Sequence, residues 1–218
     1  MKKIIALIIA SVMVLSFAAC GAKDVVDNVV NDVVDNIVEE ANKEITRGVI
    51  NGNSYTSEYS GISFNKPDAW TYSSDEELAA LISASAEQLD TTNFAKSVAE
   101  MGSVYDMMAT DPATGSNVMV LYENLKITNA GNSLTEKEYL DILKTQLPTQ
   151  SGMDYNFMSE ETVTFNGNEY LKGTFTLTIE TSIISQVYYM RAIGDVMNVV
   201  IVTPVNGVTA ADVEAMFA

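Results

Sequence analysis

From Leu171 to Ile179 the chain alternates. Leu171, Gly173, Phe175, Leu177 and Ile179 are apolar or small, while Lys172, Thr174, Thr176 and Thr178 between them are polar. Side chains on a strand point to its two faces in turn, so this period predicts a strand with one buried and one solvated face. Val163 and Phe165 alternate just upstream, and Asn166-Gly167 separates the two runs as a tight hairpin turn. Residues 184–193 and 196–203 read as two more strands, joined by Gly194-Asp195, a pair suited to a type II′ turn. Shorter strands are expected at Ile62-Ser63-Phe64, near 103–109 and at 117–124. Asp111-Pro112-Ala113-Thr114-Gly115 lies between the last two as a hairpin loop.

A helical period shows elsewhere. Tyr139, Leu140, Leu143 and Leu147 make one stripe, opened by Thr135 with Glu138 three residues later and closed by Pro148. Asp75-Glu76-Glu77 starts a helix expected to run to about Leu89, since acids in a first turn oppose the positive end of the helix dipole. A further helical piece covers about Thr92 to Met101, and Thr209 caps a last one from Ala210 to Phe217. Hairpins in series with helices set apart predict an α+β domain with an antiparallel sheet.

The first residues follow neither period. Met1-Lys2-Lys3 precedes an apolar run from Ile4 to Ala19, 16 residues against the roughly 20 a membrane-spanning helix needs. A basic start, a short apolar run and small residues before a cut site make an export signal. Phe17-Ala18-Ala19-Cys20 resembles the bacterial lipobox. That resemblance implies diacylglycerol on the Cys20 thiol, cleavage before Cys20, and an acyl chain such as palmitate on the new N-terminus. Two or more chains hold a protein stably on a membrane where one does not.

Between Cys20 and Asn53 there is no aromatic residue and no proline, and residues 24–44 hold seven acids and one lysine. Asp24 to Glu40 is nearly a repeat of two apolar residues and two acids or amides. Four residues turn 400° in a helix, so each repeat drifts by about 40° and the valines wind around the axis. That phase suits neither a long coiled coil nor a cationic membrane-surface helix. The stretch reads as a partly helical spacer, reaching about 30 Å if helical, or as a short docking or self-association helix. Asn51-Gly52-Asn53-Ser54 is a loop signal and sets the expected end of the tether. The expected organisation is therefore a signal peptide at 1–19, a lipidated tether at 20–53 and one domain at 54–218.

Charge and composition narrow the chemistry. The formal net charge is −17, and removing Lys2 and Lys3 leaves 10 basic residues against 29 acidic. Such a surface repels phosphate, so no nucleic-acid partner is expected. The chain has no histidine. This removes Ser-His-Asp and Cys-His catalysis and most zinc and copper sites. Cys20, the one cysteine, is assigned to lipid. No cofactor and no catalytic residue is nominated. Paired carboxylates remain as a minor route to an envelope hydrolase. Asp111, Thr114, Ser116 and Asn117 offer oxygens for calcium, yet the loop lacks the spacing of a calcium-binding loop and reads first as a Pro-Gly turn; Asp111 and Asn117 are the weak calcium candidates. The scattered methionines (Met107, Met108, Met119, Met190 and Met197 among them) read as core filling. Trp70, Tyr72 and Tyr105 read as buried aromatics before they read as a sugar platform, and Tyr188 and Tyr189 must point to opposite faces. The threonine row of 174, 176 and 178 is a polar strand face or a shallow contact surface.

The order of elements resembles PsbP-like domains of bacterial lipoproteins. It runs from Tyr59-Ser60-Gly61-Ile62-Ser63-Phe64 into Pro67-Asp68-Ala69-Trp70, then the Thr135–Leu147 helix, the Phe165-Asn166-Gly167 hairpin, three long strands and a short C-terminal helix. Ala69 stands where that family often has glycine. The resemblance covers about residues 55–218 and implies an α/β/α sandwich around an antiparallel sheet. It also implies a binding or assembly module, because relatives include an extrinsic photosystem subunit and a nuclear-transport factor that binds a small GTPase. The expectation is a non-enzymatic, lipid-anchored module on the extracytoplasmic face of the cell membrane, binding an envelope protein or component. A small-ligand or calcium receptor and a small carboxylate hydrolase are the alternatives.

Overall fold

A computed structural model describes residues 45–82, 84–89, 92–129, 131–150, 154–179 and 181–217. The expected signal peptide, Cys20 and the valine-rich repeat lie outside the described residues. Among the described residues ten strands form, β1 (Val49–Asn51), β2 (Ser54–Thr56), β3 (Ser63–Asn65), β4 (Thr71–Tyr72), β5 (Ser103–Thr110), β6 (Asn117–Asn124), β7 (Asp154–Phe165), β8 (Asn168–Ile179), β9 (Ser182–Ile193) and β10 (Val196–Thr203). The helices are α1 (Asp75–Leu81), α2 (Phe94–Met101), α3 (Leu125–Thr128), α4 (Glu136–Gln150) and α5 (Ala210–Glu214).

Seven strands make one open antiparallel sheet in the order β4-β5-β6-β10-β9-β8-β7, and β1-β2-β3 make a small second sheet. Period-two patterning decides which side chain meets which layer. On one face Phe175, Leu177, Tyr188, Met190, Met197, Val199 and Met119 pack with α1, α2 and α4. On the other, Val118, Val120, Val187, Tyr189, Val200 and Val202 pack with Tyr55, Ile62 and Phe64 of the small sheet region and with Val213 of α5. The result is an α+β sandwich with the large sheet in the middle. Each large side chain fully buried this way contributes about 1.5–3 kcal/mol. Tyr188 and Tyr189 are both buried, one in each layer.

Turn chemistry fixes the register. Asn166 and Gly167 have φ of 52° and 75°, the left-handed pair that a two-residue hairpin of matching twist requires. At Gly194-Asp195 only Gly194 has positive φ, at 60°, as a type II′ turn demands. Ala69 sits in a turn closed by Trp70 N–H donating to the Pro67 carbonyl at 3.0 Å, and it does not need positive φ. Alanine therefore serves there as well as glycine.

Several boundaries differ from the sequence reading. The helix begun at Asp75 stops at Leu81, and a separate 3-10 turn covers Ala86–Leu89. Ser85 starts that turn afresh, because its backbone N–H donates to Gln88 Oε1 at 2.9 Å. Helix α4 has the expected capping box, with Thr135 N–H donating to Glu138 Oε2 and Glu138 N–H to Thr135 Oγ1. It continues through Pro148 to Gln150, since a proline in the last turn forfeits a single i−4 bond. The last helix ends at Glu214, and Phe217 leaves it to bridge Phe64. Asn51-Gly52-Asn53-Ser54 is the tip of the β1–β2 hairpin, so residues 45–53 pack on the domain. Ile45 is itself buried against the helical layer.

Candidate functional site

The sequence-nominated positions fall into three places. Trp70, Tyr105 and the five named methionines are buried in the two core layers. Tyr72 is half-buried, donates to the Asn53 carbonyl at 2.9 Å and lies under the Lys66 ammonium. The Asp111 loop closes on itself. Asp111 Oδ1 accepts from Ala113 N–H at 2.9 Å and Oδ2 from the Thr114 hydroxyl at 2.7 Å. Ser116 Oγ donates to the Val205 carbonyl and accepts from Val205 N–H. Asn117 Nδ2 donates to the Gly115 carbonyl, while its Oδ1 is buried without a hydrogen bond. Among the described residues no group of three or more His, Cys, Asp or Glu gathers where it could hold a metal ion.

Two carboxyl groups that sequence reasoning missed are buried in the large sheet. Asp106 sits at a β-bulge in β5, between Tyr105 and Met107. The extra residue of a bulge re-aims its side chain. Here the carboxylate accepts from Tyr55 Oη at 2.6 Å and from Gly48 N–H. Arg47 reaches it at 3.8 Å through Nε but forks onto Asp75 at 2.8 and 2.5 Å. Burial pushes the Asp106 carboxyl up to about 6, against the Tyr55 and Gly48 hydrogen bonds and the Arg47 charge that favour its ionised form. The Tyr122 hydroxyl lies beside it and meets Ser57 and Ser60 Oγ at 2.8 and 3.0 Å.

Glu123 follows Tyr122 along β6 and so faces the opposite layer. Tyr139 of α4 donates to its Oε2, and Oε1 is buried without a partner. Burial pushes this carboxyl up to about 7, with Tyr139 and Thr128 pulling the other way. Since the sheet separates Asp106 from Glu123, the two cannot flank one substrate bond. Each holds an element onto the sheet: Asp106 the entering segment, Glu123 helix α4. Their signal in sequence is slight, a lone acid inside an apolar strand.

The surface that stands out is a corner of the large sheet. Three large hydrophobic side chains remain exposed on its strands, Phe157 at 39 % and Met158 at 59 % on the edge strand β7 and Ile183 at 73 % on β9. Strand register lays out the rest. Asp154, Thr178 and Ile183 are opposite one another across β7, β8 and β9, then Asn156, Thr176 and Ser185, then Ser159 and Thr174 with Val187. Opposed residues share a face. The half-exposed threonine row of the sequence is thus the middle column of a small hydroxyl and amide array. It lies on the face that carries α5, beyond the rows that α5 and the small sheet cover. Phe157 points to the other face, edge-on to Phe175 and beneath the Lys144 ammonium at 4.1 Å. Met158 occupies a bulge between them.

No protein-family model and no curated protein matches the chain. Among solved structures, the chain is similar to cyanobacterial PsbP (CyanoP) from Synechocystis sp. PCC 6803. The TM-score is 0.43 at 12 % identity, over 81 % of this chain and 95 % of that one. It is also similar to a crystal structure from Bacteroides thetaiotaomicron, with a TM-score of 0.40 at 15 % identity, over 78 % of this chain and 48 % of that one. Likeness at this level says nothing of ligand, partner or site. Among the described residues, no helix is long and apolar enough to cross a membrane.

Proposed function

We propose that the chain is an extracytoplasmic lipoprotein, held to the membrane through lipid on Cys20. Its domain is a non-enzymatic binding or assembly module for another envelope protein. The observation that carries this reading is the exposed corner of β7, β8 and β9, where Ile183 stays in water on the face of a flat array of small polar side chains and Met158 stays exposed in the bulge of the edge strand. Large apolar side chains left exposed beside a flat polar surface are one mark of an interaction site.

Charge selects the kind of partner. The acids on β7 are Asp154, Glu160 and Glu161; Glu160 pairs with Lys137 and Lys144 and Glu161 with Lys172, and the whole chain carries −17. Pairing β7 with β7 of a second copy would meet a bulge and a row of ion-paired charges along the edge. Acids and bulges are the usual devices against edge-to-edge association. A protein presenting an extended cationic segment is drawn by the net negative charge of the whole chain. The hydrolase alternative draws no support from Asp106 and Glu123, which are buried on opposite faces of the sheet and engaged by Tyr55 and Tyr139.

Purification of the full chain from detergent-solubilised membranes tests the reading. A stoichiometric envelope protein is expected with the wild type and is lost with Met158→Lys/Ile183→Lys, whose circular dichroism stays that of the wild type. Recovery of the same protein with the double variant, or of none with the folded, lipidated wild type, would overturn it. Cys20→Ala is expected to move the chain from the membrane to the soluble fraction.

A further inference from the structure

The chain contains Asn-Gly three times, at Asn51-Gly52, Asn166-Gly167 and Asn206-Gly207. Each is a place where the backbone can attack its own side chain. The glycine nitrogen, having lost its proton to solvent base, adds to the asparagine Cγ. A C–N bond forms, the Cγ–Nδ2 bond breaks, and the side-chain nitrogen leaves as ammonia. Water then opens the resulting five-membered succinimide at either carbonyl, giving aspartate or isoaspartate. Glycine favours the step because it has no Cβ to crowd the attacking nitrogen.

The fold treats the three pairs differently. Asn166 is tied down at both ends of its amide. Its Oδ1 accepts from Ser63 N–H at 3.0 Å, and its Nδ2 donates to the Ser63 carbonyl at 2.8 Å. This side chain imitates one rung of a β-ladder and fastens the β7–β8 turn to β3. Asn206 donates from Nδ2 to the Thr114 carbonyl at 2.7 Å. Both asparagines hold a left-handed backbone, with φ of 52° and 54°. Either amide must break its bonds before Cγ can swing to the next nitrogen.

Asn51 is exposed at the end of β1, and among the described residues no hydrogen bond holds its side chain. Gly52 beside it is open as well, since a Cβ built there would meet nothing within 4 Å. We propose that Asn51-Gly52 is a built-in modification site, where the folded chain converts an amide to an acid, while its other two Asn-Gly pairs are held closed. The product adds a negative charge to the hairpin tip near Asp68. As isoaspartate it also inserts an extra methylene into the backbone where Asn51 pairs with Ser54. The β1–β2 register then breaks at its closing pair, and the tip frays.

Tryptic peptides separate the three sites, because cleavage at Arg47, Lys96, Lys144, Lys172 and Arg191 places each in its own fragment. The full chain is incubated folded at mildly alkaline pH and, in parallel, in strong urea. Conversion is then followed by mass spectrometry with fragmentation, which also distinguishes Asn51 from Asn53. In the folded chain Asn51 is expected to convert at least about tenfold faster than Asn166, the factor that loss of that residue's two hydrogen bonds implies. Asn206 should also lag Asn51. In urea the three rates should converge. Faster amide exchange at residues 49–51 of the converted protein completes the expected result. A folded-state rate at Asn51 no greater than at Asn166, or a rate order unchanged by urea, would overturn the proposal.

Discussion

Gly48 donates its backbone N–H to both carboxylate oxygens of Asp106, at 3.0 and 3.1 Å. A carboxylate inside a central sheet thereby fastens the chain just before β1, 58 residues away in sequence. The same glycine is pressed against Tyr55, whose ring is fully buried and whose hydroxyl also reaches Asp106. One small residue, one phenol and one acid set the entry of the chain into the domain.

A side chain at position 48 should break that arrangement. A Cβ there would overlap the Tyr55 ring, with Cζ and Oη at 2.7 Å, and the ring has no open side to move into. Gly48→Ala is expected to cost about 1–3 kcal/mol, the usual range for overpacking. Urea denaturation measures it. Gly52→Ala, in open space but at φ of 60°, should cost less. Equal costs would show that packing on Tyr55 is not what matters at position 48.

The buried acids set the sign of the pH dependence. Asp106 and Glu123 have ordinary values of 3.8 and 4.5 and are raised by burial to about 6 and about 7 in the folded chain. Between these values the native state binds more protons than the unfolded one, so stability falls as pH rises. The contribution is complete below about pH 4 and lost above about 7, on the order of 3 kcal/mol for each group. Carboxylates with lowered values, such as Asp75 beside Arg47, act the other way at more acidic pH. Denaturation midpoints from pH 4 to pH 8 should decline, and Glu123→Gln should flatten the upper part of that decline. A midpoint that rises across this window would contradict the assignment.

Gly173 lets α4 come close to β8. A Cβ there would lie 2.7 Å from Leu140 Cδ1 and 3.4 Å from Met190 Cε. The first is the end of a flexible side chain, so Gly173→Ala should cost about 1 kcal/mol while Gly173→Val costs roughly 2–3. Thermal unfolding of the two variants gives the comparison, and indifference to the valine would mean that α4 is not seated on this residue.

The Asn166 side chain predicts an ordered pair of effects. Asn166→Gly keeps the left-handed backbone and loses two hydrogen bonds to Ser63, for about 1–2 kcal/mol. Asn166→Ala loses the same bonds and adds strain at φ of 52°, so it should be the worse by about 1 kcal/mol. Chemical denaturation of both variants reads the order, and a glycine variant as stable as the wild type would remove the tie to β3.

Period and turn chemistry made much of this fold legible. The faces of β8, the turns at Asn166-Gly167 and Gly194-Asp195, the Thr135 capping box and the burial of Trp70 all follow from local rules. What was not legible depended on distant partners. The β1–β2 hairpin is short and its first strand exposed, so the Asn-Gly signal looked like the end of a tether. Most of β7 is polar because it is an edge strand, and polarity hid it. Asp106 and Glu123 are single acids in apolar runs, and only the structure supplies Gly48, Tyr55 and Tyr139 as their partners. The threonine row was visible as a column, whereas its neighbours Asn156, Ser159 and Ser185, and the bare Ile183, come from sheet register.

The corner formed by β7, β8 and β9 is tested most directly by photo-crosslinking in intact cells. A photoreactive amino acid is placed singly at Met158, at Ile183 and, as a control, at the exposed Glu87 of the helical layer. The account predicts one discrete adduct with the same envelope protein from Met158 and Ile183, weakened by added salt, and none from Glu87. An adduct formed equally well from Glu87, or none from the corner in cells that display the folded chain, would contradict it.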